Sequence, residues 1–176
     1  MARDNDGMAI LKQAASNVPA GSRWHDRLRM VLKNERDVGI HLGVFVEPFL
    51  EAILDGRKTI ESRFALNRTP PFDRVQAGDL ILLKRSGGPV VGIAMAGETN
   101  SFELDEGTMD SIRDRFAKQL FAEDDEFWSA RAEKRYATLI EIDEVTSIET
   151  LNVEKRDRRG WVTYCEGRQE CLSLSS

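Results

Sequence analysis

Cysteine and histidine are scarce in this chain, with two of each in 176 residues. Cys165 and Cys171 stand near the C-terminus, His25 and His41 near the N-terminus. Structural zinc takes four ligands in close pairs, and neither pair has that spacing. No metal and no cofactor is therefore expected. A chain of this length buries about 70% of its unfolded surface, so its core needs no disulfide. The two cysteines read as thiols in a reducing cytosol. With so few histidines, a Ser-His-Asp or Cys-His catalytic site has little support.

Long hydrophobic runs are also missing. No uninterrupted apolar stretch outruns Leu80 to Leu83, whereas a membrane helix needs about 20 residues. The first residues hold no apolar segment suited to a secretory leader. The expectation is a cytoplasmic protein with no membrane partner. No repeat with a period of tens of residues recurs, which excludes a repeat array. An excess of positive charge is absent too: Lys plus Arg is 25, Asp plus Glu is 30, and the net charge is −5. Polybasic binding by the whole molecule is excluded, so a nucleic-acid site would have to be a local patch.

What is present suffices for one globular domain with an appendage. The apolar fraction is 41%, enough for a core. Met1 to Gly7 is polar and is read as a frayed end. Helices are predicted over Met8–Asn17 and Arg23–Asn34, the second with Trp24, Leu28, Val31 and Leu32 on one face and Ser22 as its cap. The main domain is predicted to begin near Gly39, with an alternating strand over Ile40–Val46. Pro48 opens a helix and Gly56 closes it. Strands follow over Thr59–Phe64, Leu80–Lys84, Val90–Met95, Tyr136–Val145 and Trp161–Tyr164, after a charged turn at Asp157 to Gly160. A helix capped by Thr108 carries Met109, Ile112, Phe116 and Leu120 on one face. Another is predicted to start near Asp124, anchored by Phe127 and Trp128. Strands outnumber helices without alternating with them, which points to an α+β domain built on a small barrel rather than a doubly wound sheet.

Charge is segregated along the chain. Residues 57–85 hold seven cations against three acids, a balance of +4, and residues 98–126 hold three cations against ten acids, a balance of −7. A polyanion would meet the first segment and be turned away from the second. Such runs also occur on ordinary solvated faces.

The densest polar feature is Gly56-Arg57-Lys58-Thr59-Ile60-Glu61-Ser62-Arg63. Strand alternation would put Thr59, Glu61 and Arg63 on one face and Ile60, Ser62 and Phe64 on the other. Lys58, at the turn before the strand, leans over the same surface. One carboxylate between two cations suits an anionic or hydrogen-bonding ligand: Arg63 offers a planar fork, Lys58 a point charge and Glu61 an acceptor. By spacing alone, a surface Glu–Arg pair worth under about 1 kcal/mol accounts for the same residues.

The pattern Gly-x-Lys-Thr-x-Glu-x-Arg, preceded by a strand and an amphipathic helix, resembles the ASCH (activating-signal-cointegrator homology) domain of the PUA-like superfamily. The Ala77-Gly78-Asp79 turn before Leu80, the strand Val90–Met95 and the late strand Tyr136–Val145 fall in the matching order. The resemblance spans Ile40 to Tyr164. It implies an α+β fold, a PUA-like small mixed β-barrel flanked by helices, with residues 1–39 an N-terminal helical extension and 40–176 the ASCH domain. It also implies a cleft at the motif that binds RNA or a nucleoside-like small molecule. Some ASCH proteins are similar to RNA-cleaving enzymes, and a bacterial subset removes the acyl group from N4-acetylcytidine. Lys58 matches the motif lysine of that subset, and Glu61 and Arg63 match the acid and arginine of the broader family. This chain has Glu61 where the deacylating subset has Thr. That subset also uses a later glutamate, for which Asp105, Glu106 and Glu123 are the candidates here.

Catalytic or ligand-facing roles are thus expected for Lys58, Glu61 and Arg63. Phosphate or base contacts are expected from Arg57, Thr59, Lys84, Arg85, Ser86, Arg158 and Arg159. Ser86-Gly87-Gly88 lacks a following helix and reads as a plain hairpin turn. Trp161, beside Arg158 and Arg159, reads as core because it opens an apolar strand. Tyr136 fits either a cleft or a strand. Three functions are compatible with these residues. The first is an RNA- or nucleoside-binding module. The second is a hydrolase acting on RNA or an N4-acylated cytidine through Lys58. The third is a protein-interaction module using the acidic helix or the N-terminal helices. For the hydrolase, burial would lower the Lys58 pKa, and an adjacent carboxylate would oppose that.

Overall fold

The computed structural model describes residues 2–33, 37–155 and 158–167. Met1, Asn34, Asp157 and Cys171, read above as part of a frayed end, a helix end, a charged turn and a thiol, lie outside them. The elements in chain order are α1 (Ala2–Asn17), α2 (Arg23–Leu32), β1 (Ile40–Phe45), α3 (Phe49–Leu54), β2 (Ile60–Ala65), β3 (Leu80–Arg85), β4 (Val90–Glu103), α4 (Glu106–Phe116), α5 (Asp125–Ser129), β5 (Tyr136–Leu151) and β6 (Trp161–Cys165). The strands form one mixed sheet in the order β2-β5-β4-β3-β1-β6. Only β1 and β3 run parallel; the other described pairings are antiparallel. The sheet curls into a half-barrel, and with its five described helices the fold is α+β.

Two apolar clusters sandwich the middle strands. Leu11, Ala14, Val18, Trp24, Leu28 and Val31 of the first two helices share one cluster with Ile40, Leu42, Leu80 and Leu82. Phe45, Leu50, Ile53, Ile81, Leu83 and Trp161 form the second on the other face. That explains why β1 is buried on nearly every side chain although its sequence alternates. A third cluster, with Ile112, Phe127 and Trp128, holds α4 and α5 beside the far end of β5.

Several elements outrun or shift from their sequence signals. Helix α1 begins at Ala2, inside the segment read as frayed. Tertiary packing supports that stretch: a Cβ on Gly7 would lie 2.6 Å from Tyr164 Cβ, so only glycine lets the helix approach β6 here. Strand β4 continues to Glu103 because its polar second half still pairs with β5, as in Asn100 with Leu139 and Phe102 with Ala137. Asp105, not Thr108, caps α4: its Oδ1 accepts from the Thr108 amide at 2.7 Å. Ser22 caps α2 by accepting from the His25 amide, and Asp124 caps α5. Among the described residues no helix is long and apolar enough to cross a membrane, and no cluster of three or more His, Cys, Asp or Glu could hold a metal ion. Cys165 is half-buried on β6.

The sheet's two edge strands are β2 and β6. Arg63 spans the gap between them. Its Nη1 donates to the Gly160 carbonyl at 2.9 Å and its Nη2 to the Val44 carbonyl at 2.9 Å. Gly160, just before β6, also accepts from the Val44 amide. The guanidinium therefore ties β2 to β1 and the entry of β6 where no ladder bonds do so.

Candidate functional site

The motif is shaped by the turn between α3 and β2. Gly56 adopts φ +81°, a conformation glycine reaches without steric cost, and its amide bonds the Ile53 carbonyl to end the helix. The Lys58 amide then bonds the Ala52 carbonyl, folding the lysine back under the helix. The side chain ends up buried, 3% exposed, and so does Glu61, at 6%. These are among the few buried charges in the protein.

Lys58 Nζ donates to the Ile60 and Leu120 carbonyls, both at 2.8 Å, and lies 3.3 Å from Glu61 Oε2. Three acceptors match the three N–H bonds of an ammonium. Burial pulls the Lys58 pKa below the usual lysine range; Glu61 opposes the shift, and Arg63 and Arg131 add to it. Arg63 Nε lies 2.7 Å from Glu61 Oε1. That buried N–H nevertheless lacks a hydrogen-bond partner, because it does not aim along the line of contact; the attraction is ionic. The Arg63 guanidinium is stacked near Phe45 and Trp161, 4.9 Å and 5.2 Å from their ring centres.

These side chains form one wall of a cavity of about 420 Å³. Phe45, Phe49, Phe64 and Phe127 supply aromatic surface, Ser62 a hydroxyl, and Arg131 and Lys134 two further cations. Among the described residues, Glu61 is the only carboxylate in the lining, against four cations. Strand alternation did not segregate the motif as expected: Glu61, Ser62, Arg63 and Phe64 all line the cavity. The cavity lies at the sheet's edge strand, so side chains on both faces of β2 reach it. A second cavity of about 210 Å³ shares Arg63 and Phe64 and is lined also by Phe72, Tyr136, Thr138, Gly160 and Trp161. Tyr136 packs edge-on against Phe72, 5.3 Å between centres.

The structure thus brings Lys58, Glu61 and Arg63 together. The other candidates are not in the lining of the larger cavity. Arg57 pairs with Asp55 on the surface, which raises the arginine pKa and lowers the aspartate pKa. Thr59 is exposed. Lys84 is buried and bonds the Arg85 and Gly88 carbonyls, closing its own hairpin turn. Arg85 pairs with Glu47, and Ser86, Arg158 and Arg159 are exposed. Of the later acids, Asp105 is occupied as a cap, an interaction that lowers its pKa, and neither it nor Glu106 nor Glu123 lines the cavity. Sequence reasoning missed Arg131 and Lys134, which follow α5 with no motif to mark them, and gave Phe127 only a core role. The signal available was weak: two cations shortly after the Phe127-Trp128 pair.

A second buried group of ionisable side chains lies elsewhere. His41, fully buried, sets Nε2 3.0 Å from Asp79 Oδ2 and Nδ1 3.1 Å from Thr163 Oγ1. Asp79 also accepts from the Gly39 amide at 2.7 Å and the Gln76 amide at 2.8 Å. Neither His41 nor Asp79 lines either cavity.

No family model matches the sequence, and no curated protein matches it. Solved structures do match. The ASCH protein of Zymomonas mobilis superposes with a TM-score of 0.56 at 17% identity, covering 78% of this chain and 96% of that one. Two single-site mutants of the same protein give TM-scores of 0.56 and 0.57 at 16% and 17% identity, covering 78% and 80% of this chain and 99% of each of theirs. The fold is an ASCH fold. At this identity the likeness extends to the fold alone.

Proposed function

We propose that this chain binds RNA or a nucleoside-like ligand in the larger cavity, with Glu61 accepting from the N–H groups of a base edge and the phenylalanine rings packing against its faces. One observation carries the reading: a buried carboxylate, flanked by Lys58 and Arg63, opens into a cavity ringed by four aromatic side chains. Ionised carboxylates accept hydrogen bonds and do not donate, so the ligand must present donors, as the amino and imino groups of nucleobases do. Aromatic rings tolerate any base face, and stacking is worth about 1–3 kcal/mol per base. The cavity's volume falls within the roughly 300–1,000 Å³ usual for small-molecule sites. The outlying cations Arg57, Lys84, Arg85, Arg158 and Arg159 would then contribute only peripheral attraction.

The test is equilibrium binding of the common nucleosides and short single-stranded RNA to the wild type and to Glu61→Gln. Binding by the wild type that drops about tenfold or more in Glu61→Gln is expected, since a lost charge-assisted acceptor costs about 1.5–3 kcal/mol. A panel with no binder, or one bound equally by both proteins, overturns the proposal.

A hydrolase reading has one observation in its favour: burial lowers the pKa of Lys58, which favours a neutral amine able to act as base or nucleophile. Against it, the amine's three N–H bonds already have three acceptors, an arrangement that suits the ammonium. Hydrolysis of N4-acetylcytidine or RNA that disappears in Lys58→Ala would favour this reading; absence of turnover, or turnover that survives the substitution, removes it.

A further inference from the structure

Charge bookkeeping within the larger cavity points to what else its ligand carries. Glu61 is matched in charge by Lys58 and Arg63, and both of those cations also donate to backbone carbonyls. Arg131 and Lys134 are not matched. Among the described residues no carboxylate lies within ion-pair reach of either. Arg131 spends one N–H on the Phe127 carbonyl, at 2.7 Å, and its guanidinium stacks over the Phe127 ring at 3.6 Å. Stacking fixes the plane of the fork and leaves its remaining N–H groups in the cavity lining. Both side chains are half-buried. A cation removed from water without a counter-ion is costly, and burial accordingly lowers the Arg131 pKa while Glu61 alone offsets it.

We propose that Arg131 and Lys134 form an anion-recognising end of this cavity and that its ligand is a phosphate ester of a nucleoside, not the neutral nucleoside. This rests on the reading given under the proposed function. A nucleotide supplies what the lining lacks: N–H donors for Glu61 and a phosphate for the unmatched cations. A guanidinium held flat on an aromatic ring suits the bidentate bonds that phosphate oxygens accept. The phosphate is either a monoester, as in a free nucleotide, or a diester, as in an RNA strand.

The experiment titrates the wild type, Arg131→Gln, Lys134→Gln and the double variant with four kinds of probe: the nucleosides uridine and cytidine, their monophosphates, a short single-stranded RNA lacking terminal phosphate, and inorganic phosphate. Phosphorylated probes are expected to bind the wild type about tenfold or more tighter than the nucleosides, and in the double variant that ratio is expected to vanish because the phosphorylated probes weaken far more than the nucleosides do. Among the described residues no side-chain bond of Lys134 is at stake in the fold, so Lys134→Gln, expected to lose part of the advantage, serves where Arg131→Gln folds poorly. An advantage confined to the monophosphates assigns a monoester; one confined to RNA assigns a diester; both support the proposal. Nucleosides that bind as tightly as their phosphates, with Glu61 still required, overturn this inference and leave the proposed function standing. A phosphate advantage that persists in the double variant also overturns it. If inorganic phosphate binds but no nucleoside or nucleotide does, the proposed function falls and with it the assignment made here.

Discussion

Among the described residues, buried ionisable side chains meet one another in two places, and these are built differently. Around His41, every described polar contact is returned: Asp79 takes donors from His41, Gly39 and Gln76, His41 uses both ring nitrogens, and neither residue faces a cavity. A Cβ on Gly39 would sit 2.6 Å from the Asp79 carboxylate, so even the backbone is fitted to that group. Around Glu61, the carboxylate is flanked by Lys58 and Arg63, one buried arginine N–H is left without a partner, and the group opens into an aromatic cavity with two unmatched cations. Both groups cost desolvation. Only the second keeps polar capacity beside empty space. Burial of charge by itself therefore does not mark a functional site; unused capacity next to a void does.

That contrast is exposed most sharply by deletion. Asp79→Ala strands the buried His41 and Gly39 donors together with the part-buried Gln76 amide and should cost about 3–5 kcal/mol in urea unfolding, while the protein that remains folded keeps its ligand preferences. A loss under about 1 kcal/mol, or altered preferences, would erase the distinction between the two groups. Lys58→Met should cost about 3 kcal/mol by leaving Glu61 with one ionic partner, and it should weaken ligand binding as well. In a double-mutant cycle with Glu61→Leu, the pair should show a coupling of about 1–3 kcal/mol; additive losses would mean the two groups do not act together.

A pH experiment probes the same pair with smaller effects. The Lys58 pKa is lowered on folding, so in the window between that value and about 10.4, the unfolded lysine's value, the unfolded chain binds more protons. Stability contributed by this group therefore rises with pH across the window. The stability difference between wild type and Lys58→Met should shift in the wild type's favour as pH rises there; a shift in the opposite direction contradicts the burial argument.

Smaller still is Gly160→Ala. Its Cβ would lie 3.0 Å from Arg63 Nη1, enough to displace the guanidinium that ties the sheet's edges, at about 1 kcal/mol. Binding should weaken with it, whereas a substitution that leaves both stability and binding unchanged would show that Arg63's position is not critical. Arg85→Gln, outside the cavity and paired with Glu47, should alter binding less than about threefold, and a larger effect would mean the cavity lining is not the whole site.

Much of this arrangement can be read along the chain, and some of it cannot. The Gly56 turn, the strand read over Thr59–Phe64 and found at Ile60–Ala65, and the charge pattern of Lys58, Glu61 and Arg63 are local and carry their own signals: a helix stop, alternation and spacing. Burial of Lys58 is not local. It depends on the Leu120 carbonyl, 62 residues away, and on Gln119, whose carbonyl bonds the Thr59 and Ile60 amides. Lys84 illustrates the reverse error. It stands in the basic segment, yet its amine folds onto its own hairpin turn. The polar second half of β4 resembles a loop because its strand character comes from pairing with β5.

Composition and local pattern pointed to an α+β chain with a lysine, a glutamate and an arginine grouped at the start of an early strand, since helix stops, strand periods and charge spacing act between near neighbours. Which charges are free was decided only when the sheet curled. Arg63 was drawn into bridging two edges, and Arg131 and Lys134 were carried from a turn with no motif into the same cavity. Electrostatic pairing depends on distance in space, and a sequence records distance only along the chain.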